Sequence, residues 1–69
     1  MEYTIIIEKG EDGYWTYSPE LPGCTSFGVS VEETIENMRS AIKEHLELLI
    51  QIGEKPPLPV YSFITKVAI

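Results

Sequence analysis

The chain has 69 residues, eleven acids against five bases and a formal charge of −6, enough for one small domain near the lower limit of independent folding. That balance excludes a surface for nucleic acid phosphates, which needs clustered Lys and Arg, and suits a basic partner instead. One cysteine and one histidine exclude a disulfide framework and a Cys/His metal cluster, leaving self-association as the expected source of extra stability.

Glu2 stands where a signal peptide would carry a basic region, and no apolar run approaches the roughly 20 residues that span a bilayer. The expectation is a soluble, cytoplasmic homo-oligomer, a dimer or larger, with no contact to membrane or nucleic acid. Residues 1–69 read as a single domain with no separate DNA-binding domain.

Tyr3 to Lys9, rich in β-branched side chains, predicts a first strand. Gly10-Glu11-Asp12-Gly13 is a hairpin turn into a second strand, Tyr14 to Ser18. Alternation places Trp15 and Tyr17 on one face and Tyr14, Thr16 and Ser18 on the other. Aromatics on both faces suggest that one meets the helix and the other a second subunit.

Ser18-Pro19-Glu20-Leu21-Pro22-Gly23-Cys24 must turn. Each proline fixes its φ and removes a donor, and Gly23 can go left-handed. Leu21 is expected inside a rigid bend, with a third strand from Cys24 to Val29. Cys24, Ser26 and Gly28 are small enough to let a helix come close. Cys24 reads as a half-buried packing residue, since no basic setting activates it.

Ser30-Val31-Glu32-Glu33 is a capping box, with Ser30 at the N-cap and Glu33 at N3. Val31, Ile35, Met38, Ile42, Leu46 and Leu49 follow at steps of four and three, widened by Ala41, Leu48 and Ile52. Glu32, Glu36, Arg39, Lys43 and Glu47 lie opposite, with Glu36–Arg39 and Lys43–Glu47 at pairing distance in sequence. Gly53 is the C-cap, and Pro56 and Pro57 prevent resumption, so the helix runs about 22 residues, or about 33 Å. His45, at the stripe's edge, reads as a packed residue, and Ile50 points toward the charged side.

Glu54 to Pro59 is an extended, proline-rich connector, and Tyr61 to Ile69 predicts a fourth strand. The fold class is therefore α+β, in the order β-β-β-α-β: a three-strand antiparallel meander, a crossover helix and a returning strand. One helix leaves one sheet face open, which again asks for a partner.

Three stretches carry a resemblance: Glu11-Asp12-Gly13-Tyr14-Trp15, Pro19-Glu20-Leu21-Pro22-Gly23-Cys24, and Gly28-Val29-Ser30-Val31-Glu32-Glu33 with Asn37 and Ala41. Over about residues 2–53 the chain resembles the HicB-type antitoxin domain. The resemblance implies a partial RNase H-like fold and a non-enzymatic protein that binds and blocks HicA, a small basic toxin that cleaves messenger RNA. Acid-rich antitoxin against basic toxin is consistent with electrostatic complementarity. Full-length members of that family often carry a C-terminal helix-turn-helix or ribbon-helix-helix that binds operator DNA, and the expectation for these 69 residues is that they hold none.

Glu11, Asp12, Glu20 and Leu21 are the candidate partner contacts. No catalytic, cofactor or metal residue is assigned. The alternatives are a stand-alone oligomeric module without a toxin, and a metal-dependent RNase H-like nuclease. The latter needs carboxylates converging on metal ions, whereas the first strand region offers only Glu2 and Glu8 and the fourth none.

Overall fold

A computed structural model describes residues 2–59 and 65–69. Its elements are β1 (Ile6–Lys9), β2 (Tyr14–Ser18), β3 (Leu21–Gly28) and α1 (Val31–Gln51). The strands form one antiparallel sheet in the order β1-β2-β3, and α1 lies across a single face of it. The α+β class and the β-β-β-α order agree with the sequence reading. The expected fourth strand, on which the RNase H-like arrangement depends, falls partly outside the described residues. Residues 65–69 are described, exposed and without strand pairing.

The hairpin alternates as expected. Ile7, Thr16 and Ser26 lie opposite one another on the helix side, as do Tyr14 and Gly28; Ile6, Tyr17 and Thr25, then Glu8, Trp15 and Phe27, form two rows on the other side. The bend differs from expectation. The turn is the two residues Pro19 and Glu20 alone, because Ser18 already pairs with Leu21 and β3 begins there rather than at Cys24. The register then jumps, with Tyr17 opposite Thr25, leaving Pro22, Gly23 and Cys24 as an unpaired bulge inside β3. Pro22 cannot donate to a ladder, and Gly23 takes the left-handed φ of +86° that such a kink requires.

The helix starts where the capping box places it. Ser30 is extended, its Oγ accepts from Glu33 N at 3.1 Å, and Glu32 and Glu33 sit in the positive first turn. It ends in a Schellman arrangement: Gly53 N donates to Ile50 O at 3.1 Å and Glu54 N to Leu49 O at 2.9 Å. Met38 is fully buried on Leu21 and Cys24, with Tyr3, Ile5, Ala41, Ile42 and Leu46 packed around them.

The apolar stripe is narrower than the sequence suggests. Leu48 and Ile52 are more than half exposed, as is Ile50. Twenty-one helical residues extend about 31 Å, whereas the five of β2 extend about 17 Å, so the helix overruns its sheet. Glu36 and Arg39 pair at 3.5 Å in solvent, and among the described residues Lys43 and Glu47 form no ion pair.

Beside that apolar core, the helix–sheet interface includes small groups. Thr16, Ser18 and Thr34 are buried with Cys24, and a Cβ on Gly28 would lie 2.5 Å from Thr34 Oγ1 and 2.6 Å from Thr34 N. The first helical turn thus rests on bare strand backbone. Thr34 supports this approach by donating its hydroxyl to Ser30 O at 2.7 Å, and Asn37 Nδ2 ties the helix to Phe27 O at 2.7 Å.

Candidate partner-binding surface

Glu11 and Asp12 are exposed at the β1–β2 tip, in a loop closed by a 2.8 Å bond from Gly10 N to Gly13 O. Glu20 and Leu21 lie at the other end of β2, about 17 Å of strand away. The structure therefore brings the four candidates together as two pairs, not as one site.

The second pair is engaged within the fold. Both Glu20 carboxylate oxygens accept from Thr4 N, at 3.1 and 3.2 Å, and Ser18 Oγ reaches Glu20 Oε1 at 3.5 Å. Leu21 is 0% exposed and offers no side-chain surface. A carboxylate spent on a backbone N–H and a fully packed leucine hold the bend. Tyr3 OH, one residue from that tie, donates to Pro57 O at 2.5 Å and anchors the proline connector.

Two other surfaces are better developed, and the candidate list drawn from the sequence does not contain them. One is the solvent side of α1, where Glu32, Glu36, Glu44 and Glu47 are exposed with Arg39 and Lys43 between them. The other is the sheet face away from the helix. There Trp15 and Tyr17 stack at 5.3 Å between ring centroids and 29° between planes, and Trp15 and Phe27 face each other across the ladder, 41% and 52% exposed. The alternation of residues 15, 17, 25 and 27 was the available signal for this cluster.

Cys24 and His45 both line an open cleft of ≈ 260 Å³ between the β3 bulge and the helix, together with Gly23, Ala41 and Leu48. Burial pushes the Cys24 thiol above its ordinary value, which opposes thiolate formation at neutral pH. Among the described residues, no group of three or more His, Cys, Asp or Glu side chains could hold a metal ion. No helix among them is long and apolar enough to cross a membrane.

A family model described as HicB-like antitoxin of bacterial toxin–antitoxin system matches residues 3–68. A UPF0150 protein of Thermoplasma acidophilum is 43% identical over 58 residues, covering 83% of this chain and 84% of the relative. Another UPF0150 protein, from Synechocystis sp., is 42% identical over 65 residues, covering 93% and 80% respectively. An uncharacterized 14.9 kDa protein of Haemophilus phage HP1 is 37% identical over 68 residues; the match takes in 96% of this chain and 51% of that longer protein.

Proposed function

The chain belongs to the HicB-like antitoxin family, and we propose that it captures and neutralises a small basic toxin of the HicA type, which cleaves messenger RNA. The match across residues 3–68 carries this reading. The charge distribution supports it: the exposed acids at the hairpin tip and along α1 give a negative surface that steers a basic protein toward it. In this reading the protein works by occupying the toxin, without chemistry of its own, and acts in the cytoplasm as a homo-oligomer.

Of the sequence candidates, Glu11 and Asp12 are free to touch the toxin. Glu20 and Leu21 contribute by holding the β2–β3 bend that sets the sheet's shape.

Size-exclusion chromatography of the chain with the small basic protein encoded beside it tests the proposal. The expected result is a stable complex that suppresses cleavage of an RNA reporter. Separate elution at micromolar concentrations, with cleavage undiminished, would overturn it. Glu11→Lys with Asp12→Lys is expected to weaken the complex about tenfold and to reduce its salt dependence.

A further inference from the structure

The sheet face opposite α1 is an array of two rows across three strands: Ile6, Tyr17, Thr25 and Glu8, Trp15, Phe27. Glu8 is its only charged member, at the edge. Exposed Val29 follows Phe27 just beyond the strand. No element among the described residues covers this face.

The molecule as a whole exposes more than its size warrants. A compact monomer of 7.8 kDa exposes about 4,400 Å², whereas this chain exposes 5584 Å². Its radius of gyration is 13.4 Å against about 11 Å expected for 69 residues. The extended connector and residues 65–69 account for part of that excess, and the outer face adds Trp15 and Phe27 at 41% and 52% exposed.

We propose that this face is the self-association surface: two copies pack outer sheet face to outer sheet face, with Trp15, Tyr17 and Phe27 at the centre of a two-fold interface. Charge selects a second copy over a basic toxin as occupant. A basic protein gains most from acids, and these lie on α1 and the hairpin tip, whereas the aromatic array offers one carboxylate. Two chains of charge −6 each associate best where neither brings its charge, and aromatic centres with depleted charge mark such interfaces. Edge-to-edge pairing is the poorer route. The bulge at Pro22, Gly23 and Cys24 interrupts the free edge of β3, and β1 is four residues long. Face-to-face packing leaves the acidic helix on the outside of the dimer, so self-association and toxin capture use different surfaces.

Trp15 is the only tryptophan and lies inside the proposed interface, so its fluorescence reports directly. Sedimentation equilibrium of the purified chain, alone, is expected to give a dimer at micromolar concentrations, with Trp15 emission shifting to the blue as dimer forms. Thr25→Arg, at an exposed position in the array, is expected to weaken association at least about tenfold and leave emission red-shifted, with helical circular dichroism unchanged. Phe27→Lys should do the same, and Leu48→Lys, on the overrunning helix end, should leave the dimer intact. A monomer at every concentration, a dimer indifferent to Thr25→Arg, or equal loss with Leu48→Lys would overturn the proposal. Toxin capture by the Thr25→Arg protein is a separate readout, so failure of this interface is distinguishable from failure of the antitoxin reading.

Discussion

The two faces of this three-stranded sheet carry their bulk differently. The covered face mixes the small groups Thr16, Ser18, Cys24, Ser26 and Gly28 with Ile7, half-buried Tyr14 and fully buried Leu21, and the open face carries Trp15, Tyr17 and Phe27. Burial by hydrophobicity alone would have turned the aromatics toward the helix. Distance of approach limits this: a helix whose first turn stands on Gly28 leaves little depth there, and Tyr14, the ring opposite Gly28, is only half-buried. The inner face is held by close backbone contact and a few packed side chains, while the outer face keeps its apolar area available.

Breaking the inner face should have the largest consequence. Leu21→Ala removes a fully buried side chain next to Met38 and should lower unfolding stability by about 3 kcal/mol in urea titration. Gly28→Ala should lower it by about 2 kcal/mol, because the added methyl meets Thr34 backbone that can yield only if the helix lifts. If Gly28→Ala is neutral, the close approach is not what orders the two faces. Ser30→Ala should lower stability by about 1 kcal/mol through loss of the N-cap acceptor, with the sheet unaffected.

Smaller effects sharpen the comparison. Thr16 Oγ1 is buried without a hydrogen-bond partner among the described residues, so Thr16→Val should be neutral or stabilise by up to about 1 kcal/mol. The raised thiol of Cys24 gives a pH signature. Its stabilising contribution is complete while the thiol is protonated in both states, below the unfolded thiol's pKa. It is lost as alkaline pH rises from there through the higher folded value. Stability should therefore decline on the alkaline side, and the decline should be smaller in Cys24→Ala. Native Cys24 should also react slowly with iodoacetamide at pH 8 and readily once unfolded.

The helix was legible to within a residue at either end because its signals are local. Ser30 with Glu33 opens it, and Gly53 ahead of two prolines closes it, each by satisfying backbone groups of its own turn. The β2–β3 connection was less legible. Pro22 and Gly23 have the chemistry of a strand boundary, yet they occupy a bulge, because the Ser18–Leu21 pair forms across Pro19 and Glu20 alone. That pairing depends on the burial of Leu21 and on the reach of Glu20 to Thr4, neither a local property. For the same reason Glu20 and Leu21 looked like contacts when read from sequence: an acid and an apolar residue in a bend resemble a recognition loop until their tertiary partners are known. The face of the sheet that α1 covers was likewise not legible from alternation, which has two faces and no preference. Nothing local marks Thr34 as buried, because a hydroxyl residue looks solvent-facing until its own turn accepts its proton.

Tyr3 reaches Pro57, 54 residues further along, where the connector leaves the helix. Such a clasp cannot close on a nascent chain until synthesis has passed nearly every other element. This last tie of the amino terminus is thus made only after Pro57 has emerged, later than the Thr4–Glu20 bond beside it.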